Sequence, residues 1–223
     1  MIFDALKNKL LGSLQPAEDS PSFKVDWNPH DPNFILMGSN RGSSYVVYCA
    51  DMKNLRVTTE NLHTNEVFGV QWNPNIRDEY LVGCSNGDVI LCNMNDGSQK
   101  KFIGHDKRVF NVAFSKQNPH IFASGSDDNT IRVWNKDAGG VLKVLKGHTH
   151  NVRAIIFNPE FPWCLVSGSW DATIKLWDVR SGACIYTITD HTADVYGITF
   201  HKERPFNFVS SSRDTTLRFW SID

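Results

Sequence analysis

The feature that most constrains this chain is a repeat. His63, His105, His148 and His191 recur at intervals of 42, 43 and 43 residues. Each is followed by a short polar turn and an alternating segment: VFGVQWNP, VFNVAFSK, VRAIIFNP and VYGITFHK. A small-residue segment comes next (YLVGCSNG, IFASGSDD, CLVSGSWD, FVSSSRD), then an apolar–polar–apolar run: DVILC, TIRVW, TIKLW, TLRFW. Trp134, Trp177 and Trp220 keep the same 43-residue period, with Cys92 in the equivalent place 42 residues earlier. A weaker copy (FKVDWNP, FILMGSN, YVVYC) precedes them and puts Cys49 another 43 residues back. Each unit therefore holds three or four short runs rich in valine, isoleucine, threonine and aromatics, broken by glycine, asparagine, aspartate or proline. Such runs are antiparallel strands joined by tight turns. Four strands per unit of about 40–45 residues is the pattern of a propeller blade.

The expected fold is all-β, a propeller of about five blades at 22–62, 63–104, 105–147, 148–190 and 191–223, the last lacking its outer strand. Residues 1–21 form a separate N-terminal segment. Within it Ile2, Phe3, Leu6, Leu10, Leu11 and Leu14 follow helical spacing, which predicts a short amphipathic helix over 2–14. A helix that short is marginal alone and needs something to pack on: an open blade, a partner groove or a membrane surface. Closed propellers commonly have six to eight blades, so the ring is expected to be incomplete. Either the chain is part of a longer propeller, or another polypeptide supplies the remaining blades, or the arc is open and its edges are covered within an assembly.

The segments GH…SGSDDNTIRVWN and GH…SGSWDATIKLWD resemble WD40 repeats, and the resemblance extends over about residues 22–221. It implies a structural hydrogen-bonded tetrad of histidine, serine, aspartate and tryptophan in each of the last three units. The matching residues are His105, Ser124, Asp128 and Trp134; His148, Ser167, Asp171 and Trp177; and His191, Ser210, Asp214 and Trp220. Serine, histidine and aspartate are also the ingredients of a nucleophilic triad. An enzyme needs one such site, whereas this constellation occurs three times at a fixed period, which favours a structural role. In the first two units Cys49 and Cys92 replace the tryptophan, and Gly42 and Gly87 stand where the later turns have aspartate. Those two blades are expected to rely on packing instead.

Other chemistry is sparse. His148 and His150 have a spacing compatible with two ligands on one side of a strand, but a third ligand is wanting, so no metal is expected. No cofactor-binding motif is present, and the chain is read as non-enzymatic. With 23 basic and 24 acidic residues the chain lacks the basic surplus of a nucleic-acid binder. The five cysteines show no CxxC and lie mostly in apolar runs, which fits reduced thiols. No apolar run is long enough for a transmembrane helix, so no integral membrane contact is expected. The expected setting is cytoplasmic, a cytoskeletal or ciliary assembly included.

Function is then expected in the loops. By the WD40 resemblance, one first-strand position faces the narrow top surface, and it holds Phe68, Phe110, Arg153 and Tyr196. Two residues earlier stand Glu66, Arg108, Asn151 and Asp194, and just before the turn aspartate stand Asp127, Trp170 and Arg213. From these, Phe68, Arg108, Phe110, Arg153, Trp170, Asp194, Tyr196 and Arg213 are the candidate protein-binding residues, aromatic and arginine-rich as binding hot spots are. The alternative for Phe68 and Phe110 is packing between blades. The resulting expectation is a scaffold that joins other proteins in a multi-subunit assembly. A second reading comes from Trp177-Asp178-Val179-Arg180, which resembles the motif that docks some WD40 proteins on the adaptor of cullin-type ubiquitin ligases. It implies a substrate-recruiting subunit.

Overall fold

The computed structural model describes residues 2–4, 8–12, 22–50 and 55–222. Among them every regular element is a strand. Strands β1 (Ile2–Asp4) and β2 (Lys9–Gly12) pair antiparallel. The helix expected over 2–14 is thus corrected to a β hairpin wherever its residues are described; 5–7 and 13–14 lie outside them. Asn8, with φ +47°, takes the left-handed conformation that asparagine tolerates in turns and that a right-handed helix excludes.

The rest is a series of antiparallel sheets. The first contains β3 (Ser22–Trp27), β4 (Phe34–Ser39), β5 (Ser43–Tyr48) and β6 (Arg56–Leu62). The second contains β7 (Val67–Trp72), β8 (Glu79–Cys84), β9 (Val89–Asn93) and β10 (Gln99–Phe102). The third contains β11 (Val109–Phe114), β12 (Ile121–Ser126), β13 (Ile131–Asn135) and β14 (Val141–Leu145). The fourth contains β15 (Val152–Phe157), β16 (Cys164–Ser169), β17 (Ile174–Asp178) and β18 (Ala183–Ile188). The fifth has three strands, β19 (Val195–His201), β20 (Arg204–Ser212) and β21 (Leu217–Ser221). Consecutive inner strands β3, β7, β11, β15 and β19 are neighbours, which makes the sheets the five blades of an open propeller.

Most core clusters lie between blades. One joins Leu36 and Val46 of the first blade to Val67, Val70 and Trp72 of the second; another joins Val133 and Leu145 of the third to Val152, Ile155 and Trp177 of the fourth. A repeated contact sets the seams. A Cβ on Gly38, Gly83, Gly125 or Gly168 would lie 2.6, 2.7, 2.9 or 2.5 Å from Cγ1 of Val67, Val109, Val152 or Val195 of the following blade. Glycine in the second strand is thus a socket for the valine that opens the next inner strand.

Register corrects two sequence alignments. Trp134, Trp177 and Trp220 lie opposite Phe122, Leu165 and Phe208. In the first two blades that place belongs to Val47, opposite Ile35, and Cys92, opposite Tyr80. Cys49 stands two residues further on, where its N–H bonds to Asn33 O as that of Lys136 does to His120 O. The weak first repeat has no tryptophan to anchor the count, and it is two residues longer than its neighbours' period. Likewise Gly42 and Gly87 align with Asn129, Ala172 and Thr215, not with the aspartates; all five N–H groups bond back to the last residue of the second strand. All five have positive φ, between +65° and +96°. The aspartate's own place is held by Arg41 and Asn86.

Candidate functional site

Two constellations stand out, one inside the blades and one on their inner rim. Inside the third blade, Trp134 Nε1 donates to Ser124 Oγ at 2.8 Å, His105 Nε2 lies 2.8 Å from the same oxygen, and His105 Nδ1 lies 2.7 Å from Asp128 Oδ2. The fourth blade repeats this with Trp177, Ser167, His148 and Asp171 at 2.8, 2.7 and 2.8 Å. The fifth repeats it with Trp220, Ser210, His191 and Asp214 at 2.8, 2.7 and 2.7 Å. A carboxylate only accepts, so Nδ1 donates to it; in a neutral ring Nε2 then receives the serine hydroxyl proton. The connectivity is that of a nucleophilic triad, with one decisive addition. The serine oxygen also receives the indole N–H, and Ser124, Ser167 and Ser210 are completely buried. No substrate atom can approach the oxygen in this arrangement.

The sequence pattern missed the fifth member of each set. Thr130 donates from both its N–H and its hydroxyl to Asp128 Oδ1, at 2.9 and 2.6 Å, and Thr173 and Thr216 do the same to Asp171 and Asp214. The signal was present as the threonine that opens TIRVW, TIKLW and TLRFW. Burial raises the Asp128 and Asp171 carboxyls, but the hydrogen bonds from His105 and His148, with those from the threonines, outweigh it and hold both well below the ordinary range. Asp214 is held down first by Thr216 and then by His191.

The second blade has no such set, because Val82 occupies the serine's place and Cys92 the tryptophan's. His63 turns instead to the first blade, where its Nε2 lies 2.8 Å from Ser44 Oγ. Ser44 is also 3.3 Å from the Tyr80 hydroxyl, which accepts from Asn61 Nδ2. The polar link thus runs between blades rather than within one. His63 Nδ1 is buried without a hydrogen-bond partner, and burial lowers the imidazole pKa to about 4.

The rim arises from a bulge at the start of every inner strand. Pairing skips one residue between Ser22 and Lys24, Val67 and Gly69, Val109 and Asn111, Val152 and Ala154, and Val195 and Gly197. The skipped residues are Phe23, Phe68, Phe110, Arg153 and Tyr196. A bulge re-aims its extra side chain away from the regular faces of the sheet, and here the five make a continuous arc. Phe23 stacks on Phe68 with ring centroids 4.4 Å apart, and Phe68 lies 5.8 Å from Phe110. The Arg153 guanidinium is held between Phe110 and Trp170, 4.1 and 4.0 Å from their centroids, and Trp170 meets Tyr196 edge-on at 6.1 Å. Arg108 covers the Phe68 ring at 4.5 Å. Asp127 lies 3.1 Å from Arg153 and 3.5 Å from Arg108, and Asp194 lies 3.6 Å from Arg213.

The arc corrects the expected rim in part. Phe68 and Arg153 are buried, since their neighbours stack over them, so they support the surface without forming it. Phe110, Arg108, Trp170 and Asp194 are half-buried, while Tyr196 and Arg213 are exposed. Phe23, almost half exposed at 47%, belongs to the same arc and was not foreseen. Its signal was its place in SFKVDW, one residue before the alternation that matches VFGVQW.

Comparison with known sequences bears on both constellations. The family described as "WD domain, G-beta repeat" (WD40) matches residues 97–135, 139–178 and 182–221, more than half of the chain. The chain belongs to the WD40 family. It is similar to the periodic tryptophan protein 1 homolog of Drosophila melanogaster, 25% identical over 116 residues, which cover 51% of this chain and 25% of that protein. It is 30% identical over 120 residues to protein SOF1 of Saccharomyces cerevisiae, covering 51% of this chain and 23% of that one. It is 25% identical over 120 residues to dynein axonemal intermediate chain 4 of Homo sapiens, covering 53% and 14%. The matched region thus spans a quarter or less of these relatives' lengths. The three matched stretches contain all of the Ser–Trp pairs, so the WD40 units proper coincide with the blades that carry the buried tetrads.

Proposed function

We propose that this chain is a non-enzymatic WD40 scaffold that binds other proteins through the rim around Trp170 and Tyr196. The observation that carries the reading is the continuous aromatic–arginine arc. Its lower members, Phe68 and Arg153, are fixed by burial, and its upper members present rigid apolar and cationic surface. Preorganised aromatic and arginine side chains supply most of the binding energy in many interfaces. The buried serines support the non-enzymatic part, and the WD40 relatives, one of them named as a dynein intermediate chain, support the scaffold part. A cytoplasmic setting belongs to the same proposal: all five cysteines are free thiols, the exposed Cys184 among them.

The test is cross-linking in cells with the intact chain beside Trp170→Ala and Tyr196→Ala variants. Partners cross-linked to the intact chain and lost from both variants, with the circular dichroism unchanged, support the reading. Partners that survive both substitutions overturn it. The ligase reading has less support, because Arg180 is already engaged. Its Nε and Nη2 bond to Asp178 at 2.9 and 3.1 Å, and its guanidinium lies over Trp163.

A further inference from the structure

Among the described residues, five buried side-chain atoms of the rim lack a hydrogen-bond partner: Arg108 Nε, Asp127 Oδ1, Arg153 Nε and Nη1, and Trp170 Nε1. Contacts join them into one cluster. Asp127 lies 3.1 Å from Arg153 Nη1 and 3.5 Å from Arg108 Nε, close enough for ion pairing but without a directed hydrogen bond at these atoms. The Arg153 guanidinium lies 4.0 Å from the Trp170 ring centroid. Arg108 and Asp127 belong to the third blade, Arg153 and Trp170 to the fourth. Each of these blades has a neighbour on both sides, so the ends of the arc play no part.

A buried donor without an acceptor is costly, and folded chains pair nearly all of them. Inside the blades this chain does so: Trp134, Trp177 and Trp220 each donate to a serine. At the rim four N–H donors face one leftover acceptor, Asp127 Oδ1. Burial also disfavours the Arg153 charge, and Asp127 offsets this only in part. The cluster therefore wants an acceptor with negative charge. Arg108, Arg153 and Asp127 together carry one positive charge, which a single carboxylate neutralises. A phosphate dianion would set surplus negative charge against Asp127, and an ammonium group would leave every donor unmatched.

We infer that the protein bound at this rim presents a carboxylate, from an aspartate or glutamate side chain, which accepts from Arg108 and Trp170 Nε1 in the field of Arg153. Arg108, with 41% of its side chain exposed, is the first contact. Arg153, at 4%, acts from beneath, where the aromatic rings exclude water and its charge is less screened. The inference rests on the rim being a protein-binding surface and adds the chemistry of what it binds.

The experiment extends the cellular cross-linking to Arg108→Glu, a half-buried position whose folding is checked by circular dichroism. Partners of the intact chain are expected to fall at least fivefold with Arg108→Glu, as with Trp170→Ala. Partners lost from Trp170→Ala but kept by Arg108→Glu overturn the carboxylate and leave the rim reading standing. Partners kept by every variant overturn both. A titration of the full chain reads the contact directly, with the blocked peptide acetyl-Ala-Leu-Glu-Leu-Ala-amide and its counterparts carrying glutamine, lysine or phosphoserine at the centre. The probe is the Trp170 indole N–H resonance, assigned by its loss in Trp170→Phe. The glutamate peptide is expected to move it downfield, as a new acceptor does, and the other three to bind at least tenfold more weakly. No shift with the glutamate peptide overturns the inference. So does equal or tighter binding of any of the other three.

Discussion

The last three blades and the first two solve one problem in different ways. In the third, fourth and fifth blades a tryptophan, a serine, a histidine and an aspartate close a hydrogen-bonded chain inside the blade. In the first and second, Ser44, Asn61, Tyr80 and His63 close a polar cluster across the seam between two blades. The tetrad therefore stabilises a unit, while the cluster stabilises a junction. The polar partners of each tetrad lie within one blade, while those of His63 are shared between two. In both regions Nε2 of the histidine meets a serine hydroxyl, and the sequence around it decides which blade supplies that serine.

The largest expected effect breaks the tetrad. Ser167→Ala leaves Trp177 Nε1 and His148 Nε2 buried without their partner, so chemical denaturation should show a loss of about 2–4 kcal/mol. Ser44→Ala in the junction should cost less, about 1–2 kcal/mol, because the Tyr80 hydroxyl keeps Asn61. Equal losses would erase the distinction between the two locks. Next comes the turn shared by both regions. Gly87→Ala should destabilise by about 2 kcal/mol, since its φ is +96° and the new Cβ would collide with His105 O. Thermal unfolding of that variant is a direct check.

Acid sharpens the comparison further. The folded-state pKa of His63 is lowered, so its contribution is present above the unfolded value near 6.5 and is lost as pH falls towards about 4. The aspartates are also depressed, but from 3.8, so their contribution persists until the pH falls below about 4. Hydrogen exchange at pH 5, corrected for intrinsic rates, should therefore show faster opening in 43–50 and 55–84 than at pH 7, with 122–178 unchanged. Uniform protection would contradict the assignment. The smallest effect concerns Ala172, which holds φ +65° without being glycine. Ala172→Gly relieves that strain but loosens the unfolded chain, and a net gain of about 0.5 kcal/mol in denaturant titration is expected.

Much of this was legible because the period is long and carries rare residues. Tryptophan and histidine 29 residues apart in each unit anchor the alignment of the last three blades, and their tetrads follow residue by residue. The first blade lacks the tryptophan, so counting by period displaced Cys49 by two residues from the place held by Val47. The glycine turns were misaligned by one residue, because positive φ and not charge is what those positions share. The rim was half legible. Repeat position located Phe68, Phe110, Arg153 and Tyr196 together, but their burial depends on which neighbours stack above them, and no periodicity encodes that. At the N-terminus, apolar spacing alone resembled a helix, while Asn8 marked a turn. Spacing records which residues share a face; it does not record whether the backbone can reverse between them.

The bulge at the head of each inner strand has a consequence for how such a molecule can change. A residue in the regular ladder faces either one blade or the next, and its replacement disturbs a packed seam. The skipped residue leaves both faces and stacks on its counterparts along the rim. Phenylalanine, arginine and tyrosine occupy that position in different blades while the flanking pairing stays the same. At the exposed positions, Phe23 and Tyr196, the rim can therefore be rewritten with the pairing beneath it held constant, while the buried Phe68 and Arg153 keep the arc in place.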